Sequence, residues 1–208
     1  EDCLDSIIEI RQPSCIYCGL SLPRPGVCSR CASESFPYEA MAACAVYTGP
    51  LRKGIHAMKY ENNFWLGSVF SSLMIPLIQN QGWKFDLVIP IPLCQAHQEE
   101  RGYNQAALLA KPIAKHFGSV CEQQSLYRVK ETRSQVSLTR EERFENVRGA
   151  FKAKRRADAK GLNVLLVDDV FTTGATISEA AKALKAAGYG KVYAITLAKA
   201  ALAKPLLT

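Results

Sequence analysis

The chain has 208 residues, of which 26 are basic and 19 acidic, so its formal net charge is +7. Hydrophobic residues make up 48% and charged residues 22%, which is typical of a folded globular protein and argues against a disordered chain. The most apolar stretch, residues 66–78, is too short to span a bilayer and contains Pro76, so we expect no membrane insertion. The positive charge favours anionic partners such as phosphates or nucleic acid, but solubility alone explains it equally well.

Two Cys-x-x-Cys pairs, joined by a connector rich in proline and glycine, lie near the start of the chain. Nine residues separate Cys15 and Cys18 from Cys28 and Cys31. Four thiolates at this spacing predict a closed, structural zinc site, with metal ligands Cys15, Cys18, Cys28 and Cys31. The alternatives are two disulfides or a redox-active pair, but a redox pair is expected to begin a helix within a βαβ unit. We therefore predict a zinc-finger module over residues 1–38 and a second domain over residues 39–208.

The second domain begins with patterns of alternating strands and helices. A strand is predicted over 42–47, a helix over 51–60, a second helix over 63–79 that is broken or ends near Pro76, and a buried strand over 85–93. Lys59, in the last turn of the first helix, is interpreted either as a cation that favours the helix C-terminus or as a nucleic-acid contact.

A polar segment follows the strand at 85–93, at the edge where parallel sheets bind ligands. Arg101 can clamp a pyrophosphate through two hydrogen bonds, Gly102 allows close backbone approach, and Asn104 is predicted to cap a helix that runs to Phe117. The alternative is a surface turn with an unrelated arginine.

The next region combines a strand or hairpin arm at 119–129 with a long basic stretch. We predict that this stretch is a mobile flap over an anionic ligand, although a solvated charged face would have the same composition. Its candidate ligand or nucleic-acid contacts are Arg133, Gln135, Arg140 and Arg143.

Residues 164–176 are the most informative stretch of the chain. The apolar run 164–167 predicts a strand buried on both faces, and it is followed by Asp168 and Asp169. Because neighbouring strand residues point to opposite faces, these acids are not expected to form an acid/base pair. One suits sugar hydroxyls and the other a metal-bound water or a basic residue.

A hydroxyl-rich loop follows the acids and precedes a helix that is predicted to end at Gly188. Unpaired amides at a helix N-terminus, together with threonine hydroxyls, form a seat for a phosphate, and Gly174 would let the backbone approach it. The residues assigned to this seat are Thr172, Thr173, Gly174, Ala175 and Thr176. The loop is neither a GxGxxG nor a Walker A sequence, which argues against dinucleotides and ATP. The alternative is a crossover loop that binds nothing.

The stretch Val164–Thr176 resembles the phosphoribosyl pyrophosphate (PRPP) motif of the type I phosphoribosyltransferases. The wider series of motifs resembles the ComF family: the paired cysteines, YTGPLR, MKY, VIPIPL, RGYNQ, TRSQ, a later GAF and LLVDDVFTTGAT, in that order. The resemblance covers almost the whole chain, from Cys15 to about Ala198. It implies an α/β, Rossmann-like phosphoribosyltransferase fold with a mainly parallel sheet, preceded by a four-cysteine zinc module.

The same resemblance implies a bacterial, cytoplasmic protein of natural competence that acts on incoming single-stranded DNA beside a helicase-like partner. By this resemblance Asp168 and Asp169 hold ribose and Mg²⁺, residues 172–176 hold the 5′-phosphate, Arg101 and Gly102 face pyrophosphate, and Arg133 covers the site. Two alternatives stay open: a phosphoribosyltransferase fold that only binds single-stranded nucleic acid, and a nucleotide-salvage phosphoribosyltransferase. No base-reading motif of a salvage enzyme is evident.

Overall fold

The computed structural model describes residues 2–131, 139–155 and 157–201. The predictions for Arg133 and Gln135 therefore lie outside the described residues, as does the side chain of Arg140.

A five-stranded parallel sheet forms the centre of the protein. In chain order its strands are β1 (Ala40–Val46), β2 (Leu87–Pro90), β3 (Val120–Cys121), β6 (Val164–Phe171) and β7 (Val192–Lys199). Their order across the sheet is β1-β7-β6-β2-β3, and β4 (Leu126–Arg128) pairs antiparallel with β5 (Phe151–Ala153) in a separate ribbon. The apolar run of β6 is buried on both faces, as its sequence predicts, because β6 lies between two other strands and helices cover both sides.

Eight α-helices occur in the described part of the chain, together with a short 3₁₀ helix at Ala157–Ala159. The α-helices are α1 (Asp2–Asp5), α2 (Ser29–Ala32), α3 (Gly49–Tyr60), α4 (Leu66–Gln81), α5 (Gln95–Arg101), α6 (Gln105–Phe117), α7 (Arg140–Val147) and α8 (Ala175–Ala186). The apolar residues of α3, α4 and α6 share one buried cluster on one face of the sheet. Those of α8 belong to the other cluster, which also contains the four paired cysteines. None of these helices combines the length and the apolar character that a membrane crossing requires.

Helix α4 passes through Pro76 and ends only at Gln81, where Gly82 takes a left-handed conformation. The predicted break or end near Pro76 is therefore wrong. Pro76 lies on the exposed side of the helix, whereas Phe70, Met74 and Ile78 are buried, so their packing outweighs the lost backbone hydrogen bond.

The basic stretch predicted as a flap contains regular structure in its second half. Helix α7 begins with a capping box, in which Glu142 N–H donates to Thr139 Oγ1 and Thr139 N–H donates to Glu142. This helix contacts α8. Residues 139–148 are therefore a capped helix packed on the domain rather than a loop.

The N-terminal segment packs directly on the sheet. Ile10 N–H donates to Cys44 O, and Met41 N–H donates to Ile16 O. The paired cysteines share one buried cluster with Met41 and Phe171 of the sheet. The boundary between residues 38 and 39 stays a prediction.

Candidate functional site

The candidate site lies where β2, β6 and β7 end at the same edge of the sheet. Strand β6 continues through both acids to Phe171, and Asp168 is aligned with Thr196 of β7. The acids therefore belong to the end of a central strand rather than to a loop. This position holds their backbone rigidly at the ligand-binding edge of the fold.

Asp169 forms an ion pair with Lys59, which α3 carries in its last turn. Their side chains are 7% and 20% exposed, so the pair is largely removed from water. Burial is the largest single influence and opposes the charge on both groups. Charge attraction and hydrogen bonds together outweigh it, so the pKa of Asp169 is lowered and the pKa of Lys59 is raised. Lys59 is therefore more than a helix-terminal cation, and its charge is directed at the carboxylate rather than at solvent.

The pKa of Asp168 shifts in the opposite direction to that of Asp169. Burial, followed by the negative charge of Asp169 and a hydrogen bond with that carboxyl group, raises its pKa well above the usual range. Asp168 Oδ1 also accepts a hydrogen bond of 2.9 Å from the Asp169 backbone N–H. The two carboxyl groups thus interact, which alternation along a strand does not predict. The raised pKa favours a protonated Asp168 carboxyl group, or a carboxylate whose charge is compensated by a bound cation.

The loop after β6 leads straight into α8, whose N-cap is Gly174. Ala175 N–H lies 3.4 Å from Thr173 Oγ1, while Thr172, Thr173 and Thr176 are partly exposed. Gly174 has a φ of +86°, and a Cβ there would lie 3.0 and 3.1 Å from ring carbons of Phe171. Glycine is thus required by the backbone conformation and by Phe171. Gly174 itself is buried, and its approach to a ligand stays a prediction.

Arg101 ends α5, a helix that the sequence reading missed. Its guanidinium lies 4.6 Å from the centre of the Tyr60 ring, donates from Nη2 to Tyr60 Oη at 3.0 Å, and donates from Nη1 to Gln105 Oε1 at 3.1 Å. Gly102 ends the helix with a φ of +71°. Asn104 caps α6 as expected, because its Oδ1 accepts from Ala106 N–H at 2.9 Å.

Tyr60 follows Lys59 in α3, so one helix end connects Arg101 to the acidic pair. Tyr103 strengthens this connection by donating to Met58 O at 2.6 Å. The structure therefore brings Arg101 and Lys59 together at the same edge of the sheet. The MKY motif was the only sequence signal for this arrangement.

Two further buried or half-buried cations, Arg128 beside Asp168 and Lys199 beside the four-cysteine cluster, were not assigned from sequence. Arg128, at the end of β4, lies near enough to Asp168 and Cys94 for their charges to raise its pKa, although burial lowers it more. Lys199, the last residue of β7, is buried with its Nζ 5.6 Å from the centre of the Phe171 ring, and burial lowers its pKa. Lys199 is the charged last residue of a mostly apolar strand, and this abrupt change of polarity is the sequence signal that could have identified it.

The basic residue Arg143 lies half-buried on α7, which packs on α8. This places it on a structured helix, unlike the flexible segment that its sequence context suggested. Its role in nucleic-acid binding stays a prediction.

The four paired cysteines form one buried cluster. All four sulfur atoms lie within 4.8 Å of one another, and Cys18 Sγ lies 3.7 Å from Cys28 Sγ. A tetrahedral zinc ion with Zn–S bonds of about 2.3 Å requires sulfur separations of roughly 3.8 Å. The cluster therefore fits a four-thiolate metal site, and all four thiols are free rather than joined in disulfides.

Cys15 is the cysteine best prepared to lose its proton. Burial raises its pKa, but backbone hydrogen bonds from Cys28, Tyr17 and Cys18 outweigh this and lower it to about 7. Burial and the charges of neighbouring sulfurs raise the pKa of Cys18 and of Cys31. Mutual repulsion of this kind is relieved when a divalent cation binds all four thiolates.

Comparison with known proteins identifies the family. The family model described as the phosphoribosyl transferase domain matches residues 103–205. Competence protein F of Haemophilus influenzae is 30% identical over 195 residues, which cover 90% of this chain and 85% of that protein. The chain belongs to the ComF family. DNA utilization protein YhgH of Salmonella typhimurium is also 30% identical, over 82% of this chain and 77% of its own.

A shorter match of this ComF chain is with competence protein ComFC of Bacillus subtilis, 36% identical over 102 residues, or 49% of this chain and 39% of that protein. Among solved structures, adenine phosphoribosyltransferase from Thermoanaerobacter pseudethanolicus is similar over 72% of this chain and 84% of its own, with 18% identity and a TM-score of 0.40. The predicted ComF membership is confirmed. The predicted fold class is confirmed by the phosphoribosyl transferase match, the parallel sheet and the four-cysteine cluster.

Proposed function

We propose that this ComF chain binds the 5-phosphoribosyl group of PRPP, or of a nucleotide phosphate, with Mg²⁺, and that this binding serves the handling of transforming single-stranded DNA. The observation that carries the proposal is the pair of interacting carboxyl groups, Asp168 and Asp169, at the end of β6, followed at once by the loop and N-terminus of α8. Carboxylates suit sugar hydroxyls and Mg²⁺, and a helix N-terminus suits a phosphate.

In this proposal each part of the site has a distinct task. Asp169, kept ionised by Lys59, accepts hydrogen bonds from ribose hydroxyls. Asp168 exchanges its proton for the cation that accompanies pyrophosphate, and residues 172–176 hold the 5′-phosphate. Arg101, already oriented by Tyr60 and Gln105, faces the pyrophosphate and neutralises part of its charge.

If the chain transfers the phosphoribosyl group, no side-chain nucleophile is needed. The bond from the anomeric carbon to pyrophosphate breaks through a ribose cation, and an acceptor then attacks that carbon. The fixed carboxylates stabilise the positive charge that develops on the ring, while Arg101 stabilises the departing pyrophosphate.

The test is calorimetric titration of the chain with PRPP and Mg²⁺, followed by measurement of pyrophosphate release with bases and single-stranded DNA as acceptors. Asp168→Asn and Asp169→Asn should each abolish binding. Asp86→Asn is the matched control, because Asp86 accepts from Asn163 N–H at the opposite edge of the sheet and asparagine keeps an acceptor. Undiminished binding in both site variants would contradict the proposal.

A titration in buffers of different ionisation enthalpy adds an independent measurement. Because the pKa of Asp168 is raised in the free protein, Mg²⁺ binding at this carboxylate should release a proton. The wild type should therefore release protons on binding Mg²⁺ with PRPP, and any residual binding by Asp168→Asn should release fewer.

We also propose that the ion of the four-cysteine cluster is zinc and that its role is structural. Four buried sulfur ligands complete a tetrahedral shell and leave no open position for a substrate. Metal analysis of the purified chain should find about one zinc per chain, which would be the expected stoichiometry of such a site.

A second candidate function is single-stranded nucleic-acid binding without turnover. It is favoured by two exposed aromatic side chains beside the site, Tyr60 and Phe64, which are 54% and 47% exposed and contact Arg101 and Tyr103. Exposed rings next to cations are typical of surfaces on which unpaired bases stack. Oligo(dT) affinity that falls steeply with salt and is unchanged in Asp168→Asn would favour this function over transfer.

The proposed partner of this activity is a helicase-like competence protein, and the proposed location is the cytoplasm. Both proposals derive from the resemblance to competence proteins.

A further inference from the structure

The four-cysteine module is in physical contact with the loop that follows β6. Tyr17 lies between the first two cysteines, and its carbonyl oxygen accepts a hydrogen bond of 2.8 Å from Tyr38 Oη. Tyr38 is itself buried beneath the module, at the point where the chain enters the sheet. A single hydroxyl group therefore joins the metal-binding turn to the edge of the domain.

Three aromatic rings make this junction rigid. Tyr17 stacks on Phe36 with 4.5 Å between ring centres, and the ring of Tyr38 lies 5.4 Å from that of Phe36 and 6.3 Å from that of Tyr17. Tyr38 is buried and the other two rings are partly buried against it, so rings in mutual contact here have little freedom to reorient, and a displacement of the turn that holds Tyr17 is passed to Tyr38.

The far side of the junction is the candidate phosphate loop, which comprises residues 172–176. A Cβ on Gly174 would lie 3.7 Å from Tyr38 Oη and 3.0 Å from the Phe171 ring, so Gly174 is enclosed between these two aromatic residues. Its carbonyl accepts the Ser178 N–H at 2.8 Å, which is a hydrogen bond of the first turn of α8. The position of Gly174 therefore determines where the helix begins.

The charges of the cysteines also reach this junction. The pKa of Tyr38 is raised by burial and then by the charges of Cys31, Cys18 and Cys15. Tyr38 is a protonated phenol at neutral pH, which is the form that donates to Tyr17 O.

We propose that Tyr38 is a positioning residue that couples metal loading of the four-cysteine module to the conformation of the candidate phosphate loop. With a metal bound, the turn at 15–18 is held in place, Tyr17 O fixes the Tyr38 hydroxyl, and Tyr38 with Phe171 confines Gly174. Without it, the turn relaxes, and the amides at the start of α8 lose their fixed direction. The functional consequence of this coupling rests on the proposed phosphate site, but the structural coupling does not.

The first test uses hydrogen–deuterium exchange and needs no ligand. The full chain is loaded with zinc, and the backbone of residues 172–178 is followed in the wild type and in Tyr38→Phe. Exchange in this segment should become about fivefold faster in the variant, roughly the effect of one net neutral hydrogen bond. Tyr189→Phe is the matched control, because within the described residues its buried hydroxyl makes no hydrogen bond.

Metal removal separates coupling from a general packing defect. Stripping the metal from the wild type should accelerate exchange at 172–178, while stripping it from Tyr38→Phe should add little there. An equal acceleration in both proteins would overturn the proposal, and so would wild-type exchange in zinc-loaded Tyr38→Phe. If metal removal also accelerates exchange in β6, it loosens the whole domain. In that case the comparison of zinc-loaded Tyr38→Phe with zinc-loaded Tyr189→Phe tests the coupling, because neither substitution removes a metal ligand.

Titration with ribose 5-phosphate, without Mg²⁺, links the coupling to the site. Zinc-loaded Tyr38→Phe should bind ribose 5-phosphate about fivefold more weakly than zinc-loaded Tyr189→Phe, because it lacks the hydrogen bond from Tyr38 Oη to Tyr17 O. A wild type that binds neither ribose 5-phosphate nor PRPP with Mg²⁺, yet shows the expected exchange pattern, refutes the proposed function and supports the coupling. Normal binding and normal exchange in Tyr38→Phe refute the coupling and leave the proposed function standing.

Discussion

Two isosteric substitutions at adjacent residues should change stability in opposite directions. Asp169→Asn leaves the Lys59 ammonium without its partner in a largely buried position. Asp168→Asn instead removes a carboxyl group that burial and the charge of Asp169 hold against ionisation. We expect the first variant to be destabilised and the second to be at least as stable as the wild type at neutral pH.

The size of the first effect follows from the burial of the pair. Removing one partner of a buried ion pair costs about 3–5 kcal/mol, and the one-fifth exposure of Lys59 places this pair at the lower end, about 3 kcal/mol. For a domain of this size that corresponds to a fall of roughly 6–12 °C in the melting temperature. The pKa of Lys59 should also fall, because burial opposes its charge and the largest compensating attraction is lost.

The assay is thermal and denaturant unfolding of the wild type, Asp169→Asn, Lys59→Met and the double variant. Replacing both partners leaves no unpaired charge, so the double variant should recover to within about 1 kcal/mol of the wild type. A double variant as unstable as the sum of the single ones would refute the reasoning, as would an Asp169→Asn protein with unchanged stability.

The pKa shifts of Asp169 and Asp168 predict how the stability of the fold responds to pH. The pKa of Asp169 is lowered by folding, so its contribution to stability is present above the unfolded carboxyl pKa and is lost as pH falls through the folded value. The pKa of Asp168 is raised, so its contribution is present at low pH and is lost as pH rises through the folded value. Acid should therefore destabilise the wild type more than Asp169→Asn, as unfolding curves between neutral and acidic pH can show.

Three further substitutions test other parts of the site. Gly174→Ala should lower the free energy of unfolding by about 2 kcal/mol, because alanine is strained at a φ of +86° and its Cβ would press on the buried Phe171 ring. The control is Gly118→Ala, which has a φ of +66° and no atom near the added Cβ, and it should lower the same free energy by only about 1 kcal/mol in the same unfolding assay. Arg101→Lys should weaken PRPP binding about tenfold while leaving ribose 5-phosphate binding nearly unchanged, as calorimetry can show, because lysine cannot form two parallel hydrogen bonds to pyrophosphate. Cys28→Ser should lower bound zinc well below one ion per chain by elemental analysis, whereas Cys121→Ser, whose thiol lies on β3 outside the cluster, should keep the wild-type content.

Much of the fold was predictable because the decisive signals are local. The apolar run of β6 requires burial on both faces, and two Cys-x-x-Cys pairs at short spacing are compatible with few structures besides a metal site. Asn104 was predicted as a helix cap because its side chain satisfies an amide only two residues away. None of these features depends on distant parts of the chain.

The errors arose where distant residues decide the outcome. The stretch that contains α7 is polar and basic, and its helical form depends on a capping box and on contact with α8. Pro76 was predicted to break or end the second helix, but buried residues on the other side of α4 stabilise it through that position. The carboxyl groups of Asp168 and Asp169 were assigned to separate faces, yet the strand end brings them into contact.

The amino-acid sequence by itself determined the family, the parallel α/β architecture, the four-cysteine cluster and the identity of the acidic pair, because each is specified by residue types at fixed short spacing. Only the tertiary structure decided which charges these acids meet. Lys59 lies 110 positions before Asp169, and Tyr38 lies 136 positions before Gly174. Parallel strand pairing and helix packing bring such residues together, and the sequence pattern within either segment does not predict their contact.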